Sequence, residues 1–385
     1  MKTRSYPLRA LYQRIEQRGR EDLPLLSVYR ELGVVPREGR DDNHNVASED
    51  LSSYKVVKPG DLVLNKMKTW QGSLGVSNYE GIVSPAYFIG RKVGDVEDRF
   101  MHHLLRSAPL IAQYGARSKG IRPGQWDLPW DEFAAIRVGI PSFEDQVRIA
   151  DFLDKETKRI DVLIDKKKEL IGLLDTRSRS LFANELQSLQ SSGSIQQFPL
   201  FAVAREVKNK NSLGLVTDRL SLSHGRIVPK SIESGDGLVP ESYDTYNIVG
   251  TGDVVLRLTD LQNDQKSLRT GLVETPGIIT SAYVTLRTSN LVSGRFLWLV
   301  LAGYDNLKRF YELGGGVRQS MKFDELRRLL IPVPSRAQQE QIIEKVMGLR
   351  SKSFATSELL EEQIEKLVER RQALITAAVS GQLEI

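Results

Sequence analysis

The chain has 385 residues, is 40 % hydrophobic and carries no cysteine and four histidines. That apolar content suffices for two or three domains, and the missing thiols exclude disulfides, thiolate metal sites and cysteine nucleophiles. Its 54 basic and 49 acidic residues leave a formal charge of +5 and a pI near 9.1, an excess that permits a nucleic-acid partner without requiring one.

The N-terminal stretch Met1–Pro7 lacks the apolar core of a signal peptide, and no apolar run approaches the roughly 18 residues of a membrane span, so a cytoplasmic protein is expected. From there to residue 143 the texture is of short β-type runs broken by glycine and proline. Val56–Leu64 reads as a strand preceded by the Pro59-Gly60 turn, and Gly81–Ile89 as a further strand. Phe100–Tyr114 reads as a helix with Leu104, Leu105 and Ile111 on its apolar face. Ile140-Pro-Ser142 is a stop, at which proline ends a strand and serine can cap a helix. Residues 144–191 then contain no proline and read as one long amphipathic helix.

The remainder repeats this order. Tyr6-Pro-Leu-Arg-Ala-Leu11 aligns with Phe198-Pro-Leu-Phe-Ala-Val203, and Val56-Val-Lys-Pro-Gly-Asp-Leu-Val-Leu64 with Ile248-Val-Gly-Thr-Gly-Asp-Val-Val-Leu256, both at an offset of 192. Ile82–Tyr87 matches Ile278–Tyr283 and Gly120-Ile-Arg122 matches Gly316-Val-Arg318 at 196, while Ile140-Pro-Ser142 matches Val333-Pro-Ser335 at 193, which sets Gln146 on Gln339. Collinear blocks with so small a drift mark a tandem duplication of a unit of about 190 residues, too long for a solenoid repeat. The second half therefore has strands at Val254–Leu258 and Gly277–Leu286, a helix at Phe296–Tyr311 and a second long helix over 336–385.

In the first long helix Leu153, Ile160, Lys167, Leu174 and Leu181 recur every seven residues, and their partners in the second are Val346, Ser353, Leu360, Leu367 and Leu374. Ile149, Leu163, Ile164, Ile171, Ile342, Leu349, Ile364 and Ala378 flank that seam. One apolar stripe cannot bury itself, so the helices are expected to pair as an antiparallel coiled coil along Leu153, Ile160, Leu174 and Leu181 against Val346, Leu360, Leu367 and Leu374. The alternative, or an addition, is that the seam meets a partner's helices. Unbroken, each would run about 65–70 Å. The expected fold is an α/β (α+β) multidomain chain with a pseudo-two-fold internal repeat: globular domains at 1–143 and 192–335, helices at 144–191 and 336–385.

Catalytic signatures are missing. There is no phosphate loop, nucleophile elbow or His-Glu-x-x-His motif. Nor is there the Asn/Asp-Pro-Pro-Tyr/Phe tetrapeptide of adenine amino-methyltransferases. Gly314–Gly316 reads as a flexible turn, and the carboxylate pairs Asp41-Asp42 and Glu361-Glu362 as solvated surface. No metal site is expected.

What remains are loops that mix base-reading and aromatic side chains and that diverge between the halves while the framework matches. In the first half they contribute Lys66, Lys68, Thr69, Trp70 and Gln71, then Arg117, Lys119, Arg122 and Gln125 beside Trp126. In the second half they contribute Arg257, Thr259, Gln262 and Asn263, then Arg318, Gln319 and Lys322. Arginine and lysine suit guanine edges and phosphates, and glutamine and asparagine suit adenine edges. The bland alternative is an ordinary polar loop with Trp70 and Trp126 packed into the core. A protein-binding adaptor and an enzyme with a divergent site are the competing classes; the latter would need a carboxylate cluster or cofactor loop, and the sequence offers neither.

Nearly the whole chain resembles the specificity (S) subunits of type I restriction–modification enzymes. The resemblance rests on Gly60-Asp-Leu-Val-Leu-Asn-Lys-Met-Lys-Thr-Trp-Gln-Gly72, Ile82-Val-Ser-Pro-Ala-Tyr87, Ile140-Pro-Ser142 leading into Gln146–Leu174, and the close Ala377-Ala-Val-Ser-Gly-Gln-Leu-Glu-Ile385. It implies that two target-recognition domains each grip one half of a split, asymmetric site on double-stranded DNA, while the helices set the gap between the halves. It further implies docking of two modification (methyltransferase) subunits and two ATP-dependent restriction (translocase and nuclease) subunits. S-adenosylmethionine, ATP and Mg would be used by those partners, and this chain would bind no cofactor and catalyse nothing. Some members carry a longer tail after the second helix than is expected here.

Overall fold

A computed structural model describes residues 2–30, 32–37, 50–120, 126–223, 225–230, 243–259, 268–313 and 321–385. The chain divides into two compact units, Met1–Lys167 with Glu362–Ile385, and Lys168–Glu361.

In the first unit a four-stranded antiparallel sheet runs in the order Tyr12–Ile15, Tyr87–Lys92, Leu62–Asn65, Leu74–Val76. Smaller antiparallel pairs join Arg4–Pro7 to Arg137–Ile140, Leu26–Tyr29 to Gly33–Pro36, and Lys55–Val57 to Gly81–Val83. The central strand is apolar from Leu62 to Leu64 because both its faces are covered there. Leu62 and Leu64 enter one core with Phe100, Leu105 and Tyr114, while Val63 points the other way into a second core with Val57, Val83 and Ile89.

The second unit has the same plan. Its sheet runs Ala204–Glu206, Val284–Thr288, Val254–Leu256, Thr270–Leu272, with pairs joining Gln196–Pro199 to Leu330–Val333, Leu220–Ser223 to Arg226–Pro229, and Asn247–Val249 to Gly277–Ile279. Val254 and Leu256 face one core and Val255 the other.

The duplicated sequence blocks acquire physical reasons here. Gly60 and Gly252 adopt φ of 85° and 89°, the left-handed turn that leads into each central strand. The next residue, Asp61 or Asp253, is buried; it accepts the backbone N–H of Lys58 or Gly250 and takes a two-pronged grip from Arg91 or Arg287. At Gly81 and Gly277 a Cβ would lie 2.5 Å from the carbonyl oxygens of Pro24 and Asp218, so no larger residue fits.

Two sequence expectations are corrected in detail. The run Gly81–Ile89 is two strands in different sheets, Gly81–Val83 and Tyr87–Lys92, divided at the Ser84-Pro85 turn, and Gly277–Leu286 divides likewise. The helix expected over Phe100–Tyr114 is broken into Asp98–Leu105 and Ala108–Arg117. Pro109 has no N–H for the Leu105 carbonyl, which instead accepts the buried Tyr114 hydroxyl at 2.9 Å. In the second unit the break falls later, between Gly294–Asn306 and Arg309–Leu313, with Lys308 at φ 61°.

The long helices are Phe143–Ser191 and Arg336–Ser380, of 49 and 45 residues. Ser142 caps the first through the Asp145 N–H, and Ser335 exchanges bonds with Gln338 at the start of the second. Gln146 and Gln339, each almost wholly buried, tie these helices to the heads. The Gln146 amide accepts the Glu97 N–H at 2.9 Å, and that of Gln339 the Ser293 N–H at 3.2 Å, each at the N-cap of a head helix.

Within each unit the helix halves are antiparallel. In the first, Asp161 pairs with Arg371 at 3.0 Å and Lys167 donates to Gln363, while Ile149, Leu153, Ile375 and Ala378 share the head's core. In the second, Glu185 pairs with Lys345, and Phe182, Leu186 and Val346 join the core. Leu153, Ile160, Val346 and Leu360 are buried, and Leu174, Leu181, Leu367 and Leu374 half-buried. Of the flanking residues, Ile164 is buried but Leu163 is exposed, so the seam passes from 160 to 164. No helix among the described residues is long and apolar enough to cross a membrane.

Candidate nucleic-acid interface

In the first unit the central strand delivers its end, Asn65, into a tight turn that folds on itself. The Asn65 carbonyl accepts the Lys68 N–H at 3.0 Å and the Thr69 hydroxyl at 2.7 Å, and its side-chain oxygen accepts the Met67 N–H at 3.2 Å. Thr69–Gln71 forms one 3-10 turn, and Ser73 returns to the sheet by donating to the Lys68 carbonyl. The turn is thus held by its own hydrogen bonds, which is what presenting side chains in fixed geometry requires.

The second segment meets it. Lys119 and Asp127 exchange backbone hydrogen bonds at 2.9 and 2.8 Å, and the Leu128 N–H donates to the Lys66 carbonyl at 3.2 Å. The Trp70 and Trp126 rings lie 4.8 Å apart, tilted by 52°. Sequence separation of some fifty residues gave no hint of this indole pair, which is half-buried rather than lost in the core.

The candidate residues fare differently. Lys68 is exposed and pairs with no carboxylate among the described residues. Lys66 pairs with Asp127 at 2.9 Å, and Lys119, with its side chain 75 % exposed, pairs with Glu132 at 3.4 Å. Arg117 is half-buried in the last helical turn before Ser118. Trp70 donates its indole N–H to Met67, and Gln71 accepts from Arg30 at 2.8 Å. Thr69 is fully buried with its hydroxyl committed to Asn65, so it shapes the turn and is not a surface contact. Arg122 and Gln125 lie outside the described residues.

The second unit builds the same junction from different side chains. The Met321 N–H donates to the Leu258 carbonyl at 2.9 Å, repeating the bond from Leu128 to Lys66. Arg257 and Thr259 follow the central strand and are half-buried. Their carbonyls accept from the guanidinium of Arg269 at 3.4 and 2.8 Å. Arg269 is fully buried and also donates to the Tyr311 hydroxyl at 3.2 Å. Its backbone N–H donates to Asp305, whose carboxyl burial pushes up to about 6 against the lowering effect of that bond and of Lys308 and Arg269. Lys322 is exposed, and its backbone N–H donates to the Glu325 carboxylate at 2.6 Å to cap a short helix. Gln262, Asn263, Arg318 and Gln319 lie outside the described residues.

Sequence reasoning passed over Arg30, Arg269 and Asp305. Arg269 aligns with Ser73 and Asp305 with Pro109, so the duplication that marks the framework carries no signal for them. Arg30 reaches Gln71 only through the folding of a hairpin. The first surface sets lysines and the Gln71 amide on a turn held by its own hydrogen bonds, and the second sets Arg257, Thr259 and Lys322 beside the matching junction; such groups can hold phosphates and contact base edges. Among the described residues no group of three histidine, aspartate or glutamate side chains is placed to hold a metal ion.

No protein-family model and no curated protein matches the sequence. Solved structures do match. A chain from a structure of complex assembly and conformational transition of the type I R-M system is 14 % identical, with 99 % of this chain and 98 % of that one covered and a TM-score of 0.73. The HsdS subunit from Thermoanaerobacter tengcongensis is also 14 % identical, with 99 % and 97 % covered and a TM-score of 0.53. The chain shares the fold of these proteins from end to end.

Proposed function

We propose that this chain is the sequence-specific DNA-binding subunit of a type I restriction–modification complex and is itself non-catalytic. In this reading residues 1–143 and 192–335 are recognition domains, each reading one half of a split, asymmetric site on double-stranded DNA. Residues 144–191 and 336–385 set the gap and dock two methyltransferase subunits, with two ATP-dependent translocase–nuclease subunits joining the assembly. S-adenosylmethionine, ATP and Mg belong to those partners.

The observation that carries the reading is the paired junction: Leu128 to Lys66 in one unit and Met321 to Leu258 in the other close the same frame around unlike side chains. A catalytic duplication would repeat its reactive groups, whereas a reader of two different half-sites needs the frame repeated and the contacts changed. The end-to-end likeness to the chains above supports it.

Adenine-methylation mapping by long-read sequencing tests it, in a methylation-deficient host carrying this chain with and without a cognate modification subunit. A split asymmetric motif methylated only when both are present is the expected result. No methylation from a folded complex overturns it. Replacing Lys66, Lys68, Arg117 and Lys119 together should weaken DNA binding; a protein-binding adaptor would show no change.

A further inference from the structure

The second unit contains a pair of arginines that no carboxylate among the described residues pairs with. Arg350, on the second long helix, lies half-buried with its guanidinium 5.1 Å from the Trp298 ring centroid and 5.4 Å from that of Phe182. Arg226 opens the second strand of the hairpin Leu220–Ser223/Arg226–Pro229, and its guanidinium lies 5.0 Å over Phe354, one helical turn beyond Arg350. Among the described residues neither guanidinium has an ion-pair partner within 4.0 Å or a hydrogen-bond acceptor. Burial lowers the basicity of Arg350, and the neighbouring Arg226 charge lowers it further; Glu274 and Asp175 only partly offset this from a distance. The indole N–H of Trp298 is likewise buried without an acceptor.

Two like charges placed together, one of them withdrawn from water, form an arrangement that an anion would complete. The position indicates which anion. The hairpin tip abuts the start of the strand beside the reading surface: a Cβ on Gly225 would lie 2.8 Å from the Leu268 side chain. Leu268 leads into Thr270–Leu272, which pairs with the strand that delivers Arg257. The corresponding hairpin of the first unit also ends in an arginine at its reading turn, Arg30 on Gln71. The pair therefore lies along the flank of the surface assigned above to DNA.

We propose that Arg226 and Arg350 clamp a backbone phosphate of the DNA beside the half-site read by the second unit, fixing its register without reading a base. The inference rests on the DNA-reading function proposed above. A guanidinium suits the task because it can lie against aromatic rings while its N–H edge offers parallel donors to phosphate oxygens.

The test is the salt dependence of binding by the full chain with its partner subunits, on a duplex carrying the methylation motif and on a scrambled duplex. Arg226→Gln alters an exposed position, and Arg350→Lys keeps the charge while losing the planar fork. Arg226→Gln should lower the slope of log affinity against log salt by about 0.9, the equivalent of one phosphate contact. Arg350→Lys should weaken both duplexes by the same factor, and neither variant should change the methylated motif. A wild-type slope for Arg226→Gln together with wild-type affinity for Arg350→Lys overturns the clamp while leaving DNA reading intact. Unchanged DNA binding with weakened partner association also overturns it, assigning the arginines to a protein carboxylate. A wild-type complex that binds neither duplex overturns the DNA-reading function itself.

Discussion

Replacing Gln339 by alanine removes a side chain that is 1 % exposed and that makes three hydrogen bonds. Its oxygen accepts the Ser293 N–H at 3.2 Å, and its amide donates to the carbonyls of Leu291 and Pro334 at 2.9 and 3.1 Å. At about 1 kcal/mol net for each bond, with buried partners left unmatched, the cost is about 3 kcal/mol. Gln146 makes two such bonds, to the Glu97 N–H and the Pro141 carbonyl, so Gln146→Ala should cost about 2 kcal/mol. For units of this size each kcal/mol is worth roughly 2–4 °C, which predicts losses of about 6–12 °C for Gln339→Ala and about 4–8 °C for Gln146→Ala. Glutamate has the same shape but no donor, so Gln339→Glu should be at least as damaging as alanine. Scanning calorimetry reads these shifts. A Gln339→Ala midpoint within about 2 °C of wild type, or a larger loss for Gln146→Ala, would refute the claim that these amides staple the long helices to the heads.

Leu360→Asp should destabilise the helix pair by several kcal/mol, since an unpaired carboxylate is forced into a buried seam position, whereas Leu163→Asp on the exposed face should shift the midpoint little. Leu174→Asp and Leu367→Asp, at half-buried positions, should fall between them, all four variants being compared by their urea unfolding midpoints. Asp305 keeps its proton to about pH 6 when folded, from an ordinary value of 3.8. The folded chain therefore holds more protons across that window, and stability falls by about 3 kcal/mol as pH rises from about 4 to about 6. Asp305→Asn should flatten that dependence, measured by unfolding at pH 4, 5, 6 and 7, and an unchanged profile would assign it elsewhere. Asp253→Ala removes the buried partner of Arg287 and the turn's acceptor; with that arginine partly solvated the cost should be about 2 kcal/mol, seen as a lower urea midpoint.

The tandem unit, the two long helices and the antiparallel pairing were legible in the sequence because they depend on local periodicity and on residues that fill equivalent places twice. Asp61 and Asp253, Gly81 and Gly277, and Gln146 and Gln339 recur because each meets the same backbone in both units. Hydrophobic pattern alone could not say that Gly81–Ile89 serves two sheets, since buried strands on either side of a turn are equally apolar. Nor could it place the helix break, which in one unit follows from Pro109 and in the other from the φ of Lys308. The candidate surface divides in the same way. The loops that carry it follow from strand ends and turn residues. Which side chains they show to solvent was decided by contacts between distant segments: Thr69 folded under its own turn, Trp70 set against Trp126, Arg30 brought to Gln71 and Arg269 buried beneath Arg257 and Thr259. Local sequence dictates backbone conformation through sterics and period, but the neighbours of a side chain are chosen only when remote strands and helices close around it.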